Sequence, residues 1–249
     1  MVPLDPAPLW DRIADGFTRG IPPEVGVPGL MAIVLVSVAL SVPRRSWRIF
    51  GLFVTVVHEL GHAVAALLTL QRVTGITLRL DHSGTTTSRG RRGWRAAFTT
   101  FWGYPVPAVV GAALVWSAAT GWAAAALSVG ALVLVAALVL IRNGQGVLIL
   151  GGSAAASLAL VWFGRPGTAG YACLVLGLAL LVGSCRDWVK VVRVHLRRRD
   201  LRSSDAFLLQ GATRVPSPVW LGAFALVIGA ALAQSVQPLA LIAELSARG

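Results

Sequence analysis

The chain is predicted to be an all-α polytopic membrane protein of about seven transmembrane helices, carrying one membrane-associated β-hairpin. Three observations predict it. Apolar runs recur from residue 29 to the C-terminus, several of about 20 residues, the length that spans a bilayer. The composition agrees, at 56% hydrophobic and only 13% charged. One stretch breaks the helical pattern: Arg72–Leu80 alternates apolar and polar at period 2, as a strand does.

No polar stretch is long enough to fold separately, so residues 29–249 read as one membrane-embedded domain. Residues 1–28 precede it with six prolines and four acids. There Leu9, Trp10, Ile13 and Phe17 recur at helical spacing, which predicts a short helix along the membrane interface. The segment lacks a basic n-region and a small-residue cleavage site, so it does not read as a cleaved signal peptide.

The first span is expected over about Val25–Val42, ending at Pro43 and the basic patch Arg44, Arg45 and Arg48. The second is Ile49–Leu70. The hairpin follows over residues 73–87, with Asp81-His82-Ser83-Gly84 as its turn. Phe101 to about Ala119 is the third span, and Gly121–Ile141 the fourth. After Arg142-Asn143-Gly144-Gln145-Gly146, the fifth runs Val147–Phe163 and the sixth Thr168–Cys185. Residues 186–202 are densely basic, and Trp188, Val191 and Val192 lie opposite Lys190, Arg193 and Arg197 on a helical wheel. That predicts an amphipathic helix on a lipid surface, a solvated anchoring face. The last span is Pro218–Gln234. Cys173 and Cys185 share one apolar run and form no metal or redox pattern.

The net charge of +12 belongs to the membrane reading. Lys and Arg set loop orientation and meet anionic lipid headgroups. No base-stacking or basic recognition module accompanies them, so nucleic-acid binding is not expected. With the N-terminus cytoplasmic and the C-terminus outside the cell membrane, the inside segments hold 17 of the 22 basic residues. Arg44, Arg45 and Arg48 are then left outside.

The chemistry concentrates in His58-Glu59-Leu60-Gly61-His62, inside the second span. Histidines four apart stand on one helical face and can bind one zinc ion, while Glu59 lies beside them without being a ligand. With four His and three Glu in the chain, a chance match is on the order of one in a thousand. Ionisable groups are costly at membrane depth, so three within five residues mark a functional site. Zinc would bring a bound water toward a pKa of about 7, and Glu59 would take its proton during attack on a peptide carbonyl.

A hydrolytic zinc needs a third protein ligand. Asp205, the most isolated acid, stands just before a span on the expected face and is favoured. Asp81 and His82 in the hairpin turn are alternatives, as is Cys185. Asp187 and Asp200 lie among arginines and are expected to pair with them. Asn143 is a candidate for stabilising the oxyanion, against a structural role at a helix break. An exposed hairpin edge could hold an extended peptide by strand addition. The glycines at 144, 146, 151 and 152 are not a phosphate loop, since no strand precedes them and no Lys-Ser/Thr follows.

Over residues 50–111 the chain resembles the site-2 protease family of intramembrane zinc metallopeptidases. The resemblance rests on His58-Glu59-Leu60-Gly61-His62, the hairpin Val73–Thr87 and Gly103-Tyr-Pro-Val-Pro107. It implies His58 and His62 as ligands of one zinc per chain, Glu59 as catalytic base, and a membrane-protein or peptide substrate cut near the cytoplasmic face. The family's usual third ligand is an Asp in an Asn-Pro-x-x-Asp-Gly or Leu-Asp-Gly segment, and Arg142-Asn143-Gly144 lacks it. Small bacterial members are similar to this chain in pairing an Arg-Asn-x-x-Gly segment with a later Ser-Asp-Ala, which implies Asp205 as ligand and Asn143 as a substrate-binding or structural residue. No PDZ-like insertion is present. The alternative expectation is a non-proteolytic membrane protein with a structural or sensory zinc. Glu59 argues against it, because a structural site needs no base. A transporter would spread ionisable residues over several spans.

Overall fold

A computed structural model of the chain describes residues 17–90, 93–163, 167–198 and 200–248. The elements are α1 (Val27–Ser41), α2 (Arg44–Leu68), β1 (Arg72–Leu78), β2 (Gly84–Arg89), α3 (Trp94–Phe101), α4 (Pro105–Ala119), α5 (Ala123–Ala137), α6 (Gly144–Phe163), α7 (Thr168–Arg197), α8 (Asp205–Thr213) and α9 (Ser217–Arg248). Short 3-10 turns follow α5 at Leu138–Leu140 and precede α8 at Leu201–Ser203.

All seven expected apolar segments are helical. Among the described residues, five helices are long and apolar enough to cross a membrane, and α3 with α4, bent by 55°, makes a sixth if taken as one broken span. Helix α1 is equally apolar but has 15 residues, about 22 Å against a hydrocarbon core of about 30 Å. Exposed apolar side chains such as Leu35, Val139, Leu148 and Leu226 cover the outer faces, as a lipid solvent demands. Of the expected N-terminal helix, Leu9, Trp10 and Ile13 lie outside the described residues, and Phe17 is exposed in a turn.

Helices α4 and α7 form the centre. A Cβ at Gly111 would lie 2.6 Å from the Gly177 carbonyl oxygen, and one at Gly177 would lie 2.7 Å from that of Gly111. Backbones therefore meet directly at this crossing, the close packing that small residues allow in membranes. Ala108, Val115, Leu174 and Leu181 close the core around it, with Ile228 of α9.

Two expectations are corrected. The sixth helix does not end at Cys185: α7 runs unbroken from Thr168 to Arg197, so the basic stretch is helical but continues that element. No Gly or Pro interrupts Ser184–Lys190, and Arg186 is accommodated by donating to the Ser41 and Val42 carbonyls and stacking 4.2 Å from the Trp47 ring. The charge-counting arrangement also ran α1 and α7 in opposite senses. They run parallel: Ser37 donates to Val175, Ser41 to Ala179, and Arg186 reaches the end of α1. The basic start of α2 and the basic end of α7 therefore share one face.

The hairpin forms as expected, with β2 reaching Arg89. Its strands pair antiparallel, Ile76 facing Thr86, with a register irregularity between Val73 and Gly75. Val73, Ile76 and Leu78 pack on Val56, Ala63 and Ala66 of α2 and on Leu134 and Leu150. The far edge of β1 is occupied by the α5–α6 link. Ile76 bridges Ile141, and the Ile76 carbonyl accepts from Arg142 N–H at 3.0 Å.

Candidate active site

Helix α2 turns its buried face inward through Val54, Val57, Gly61 and Ala65, at the helical spacing that defines one stripe. His58, Glu59 and His62 stand beside that stripe. The break between α3 and α4 is pressed against it. A Cβ at Gly61 would lie 2.5 Å from the Trp102 carbonyl oxygen, so this position admits only glycine without moving the break. The break exists because Pro105 and Pro107 open α4 and supply no backbone donors to continue α3.

His62 Nδ1 lies 2.8 Å from the Thr99 carbonyl. A carbonyl only accepts, so Nδ1 carries the proton and Nε2 presents a bare lone pair. Thr99 is itself held: Gln71 Nε2 donates to its hydroxyl at 2.7 Å and to Thr69 Oγ1 at 2.9 Å.

Asp205, the first residue of α8, completes a cluster with both imidazoles. Its Oδ2 lies 3.3 Å from His58 Nε2 and 3.4 Å from His62 Nε2, and the two nitrogens are 3.1 Å apart. Oδ2 is buried and accepts no hydrogen bond among the described residues. Three atoms rich in lone pairs, held this close, repel one another unless a cation or proton sits among them. With bonds of about 2.0–2.1 Å and tetrahedral angles, zinc ligands lie about 3.3–3.4 Å apart. The donor set and its spacing therefore fit a tetrahedral zinc with one position open. Burial raises the Asp205 carboxyl; protonated imidazoles facing it, standing in for a cation, lower it below the usual carboxylate range.

Glycine again makes the room. A Cβ at Gly103 would lie 2.5 Å from His62 Nε2 and 2.7 Å from Asp205 Oδ2. Next to it, the Tyr104 ring stands edge-on to His58 with centroids 4.9 Å apart, stacked at 5.4 Å on Phe224 of α9.

Glu59 faces the hairpin. It is 4% exposed, and its Oε2 accepts a hydrogen bond from Thr86 Oγ1 at 2.7 Å. A Cβ at Gly84 would lie 2.5 Å from Glu59 Oε1. His58, Glu59 and His62 offer ligand atoms within 4.8 Å of one another, a group able to hold a metal. Asp205 forms the tighter set with the two histidines, and the Glu59 carboxylate is engaged by the Thr86 hydroxyl.

The other candidates are not brought to the pair. Asp81 accepts from Ser83 N–H at 2.9 Å and Ser83 Oγ–H at 2.6 Å, which closes the hairpin turn. His82, at φ 66°, rests on Trp47 with ring centroids 6.3 Å apart. Asn143 commits its amide to β1, with Oδ1 accepting from Leu78 N–H at 3.1 Å and Nδ2–H donating to Leu78 C=O at 2.7 Å. Cys185 packs at the edge of the α4–α7 core. Asp187, expected to pair with arginines, makes no ion pair within 4 Å among the described residues; Lys190, His58, Arg186 and His82 are its electrostatic neighbours. Sequence reasoning missed Thr86, Gly84, Gln71 and Thr99 as positioning groups, since their roles arise from contacts across the fold. Tyr104 stood inside a recognised motif without an assigned task.

No curated protein and no solved structure matches the chain. A model of the Peptidase M50B-like family matches residues 30–235. That match covers most of the chain and includes the histidine pair, the hairpin, the α3–α4 break and Asp205, in keeping with the resemblance to site-2 proteases. The chain is a multi-pass membrane protein that belongs to the Peptidase M50B-like family.

Proposed function

We propose that the protein is an intramembrane zinc metalloendopeptidase cutting membrane-embedded or membrane-proximal polypeptides, with His58, His62 and Asp205 as the ligands of one zinc per chain. The convergence of two Nε2 atoms and Asp205 Oδ2 at 3.1–3.4 Å carries this reading. When bound, zinc supplies a Lewis acid that brings a water's pKa to about 7. Glu59 takes the proton from the attacking water and passes it to the leaving amine. The Thr86 hydroxyl orients the Glu59 carboxylate, and the Thr99 carbonyl fixes the His62 tautomer.

Asn143 is committed to β1, so we assign the carbonyl-polarising donor to Tyr104, whose ring borders His58. An extended substrate joins the hairpin at β2. The far edge of β1 is taken by residues 141–145, whereas β2 is the strand that touches Glu59. The parallel course of α1 and α7 supports a revised orientation in the cell membrane. The face bearing Arg44, Arg45, Arg48 and Arg186–Arg214 is cytoplasmic, and the end at residues 17–25 lies opposite.

The decisive experiment compares wild type with Glu59→Gln in purified, metal-replete protein with a co-reconstituted membrane substrate. Zinc content should be unchanged and cleavage abolished. Unchanged cleavage in the variant would exclude Glu59 as the base, and a chain that binds zinc yet cleaves nothing in any membrane substrate would favour a structural site.

A further inference from the structure

A second cleft, of about 630 Å³, opens on the basic end of the bundle between α7, the Leu201–Ser203 turn, α8 and the start of α9. Its floor is apolar: Trp188, Val192, Phe207 and Leu221 line it. The floor is fixed in place, because Trp188 Nε1 donates to the Leu221 carbonyl at 2.9 Å and so ties α7 to α9. Its lip combines Leu196, 78% exposed, with Arg198, which is exposed and makes no ion pair among the described residues. Arg193, Arg197 and Arg202 surround that lip in sequence.

The cleft does not end at the protein's edge. Gly222 lines it, and Leu226, 76% exposed, stands one turn further along the same stripe of α9. Apolar floor and lipid-facing surface are therefore continuous. A solvent-exposed leucine followed by Arg197 and Arg198, above a trough that runs toward the lipid-facing surface, matches the two halves of a phospholipid: an anionic head at the lip and an acyl chain below.

We propose that this cleft binds one anionic phospholipid, with its phosphate on Arg198 and an acyl chain along Val192, Phe207, Leu221 and Gly222. The site adjoins the segment that delivers Asp205. His195 lines the cleft and its Nε2 lies 2.9 Å from Ser204 Oγ, one residue before Asp205. The inference rests on the membrane location of the chain and not on its peptidase chemistry.

The test is lipid retention by the full-length, detergent-purified protein, read by native mass spectrometry after exposure to phosphatidylglycerol or phosphatidylcholine. Wild type should keep one phosphatidylglycerol per chain in preference to phosphatidylcholine. Gly222→Leu should abolish that preference by filling the trough. A Cβ at Gly222 meets nothing within 4 Å, and leucine is the better helix former, so the fold is preserved. Arg198→Gln should weaken retention by about fivefold, the loss of one cation near an anionic headgroup. Zinc content reports that both variants remain folded around the metal site. Equal retention of the two lipids by wild type, or undiminished retention by Gly222→Leu, would identify annular lipid only and overturn the proposal. A co-purifying polypeptide released by Gly222→Leu in place of lipid would overturn it as well.

Discussion

Two walls enclose the histidine pair, and they are built differently. On one side, Asp205 of α8 and the α3–α4 break approach α2 through bare glycine backbone at Gly61 and Gly103, with buried helices behind them. On the other side, the hairpin packs on α2 through Val73, Ile76 and Leu78. It meets Glu59, however, through the Thr86 hydroxyl and the bare Gly84 backbone, with Asn143 and Gln145 completing the edge of β1. The first wall holds its atoms by packing, which resists displacement because interiors are as dense as crystals. The second orients Glu59 through exchangeable hydrogen bonds, each worth about 0.5–1.5 kcal/mol net, on top of its packing against α2. Metal retention should depend on the packed wall, and turnover on the hydrogen-bonded one.

Substitutions that separate the two walls put this contrast at risk. The largest effect is expected from Asp205→Ala, which should empty the site of zinc in metal-replete protein. Equal zinc in variant and wild type would move the third ligand elsewhere and dissolve the distinction. Tyr104→Phe keeps the stacking on Phe224 and removes only the hydroxyl, so kcat should fall about 10²-fold with zinc unchanged. A change confined to KM would return Tyr104 to a packing role. Thr86→Val should lower kcat by about tenfold, equivalent to about 1.4 kcal/mol, again with full zinc. Loss of zinc in that variant would show that the hairpin belongs to the metal wall after all. Asn143→Ala leaves the Leu78 N–H and C=O without their partners, at about 1–3 kcal/mol of stability seen in denaturant titration. Its zinc content should match wild type.

Much of this was legible in the sequence, for reasons that differ by residue. His58 and His62 were legible because a four-residue spacing fixes a shared face in any helix, whatever surrounds it. The hairpin was legible because period-2 alternation ends in Asp81-His82-Ser83-Gly84, and Asp81 does close the turn through Ser83. Asp205 stood out as the most isolated acid before an apolar run on the expected face, although a first-turn acid also has a use at a helix N-terminus. Gly84, Gly103 and Thr86 stood inside recognised segments, but their tasks were illegible: each matters for what another part of the chain places against it. The continuity of α7 was hidden for the same cause. Arg186 looks like a membrane boundary in sequence, yet carbonyls at the end of α1 and the Trp47 ring receive it. That contact also sets α1 parallel to α7, which no tally of loop charges could reveal.

The uninterrupted α7 has a mechanical consequence. Its 30 residues make a rod of about 45 Å, while the hydrocarbon is about 30 Å thick. Such a rod would lie wholly inside only at a tilt of about 48°, beyond the roughly 0–40° that membrane helices adopt. One end of α7 therefore stands clear of the bilayer like a mast, and the turn leading to Asp205 is rigged from its tip.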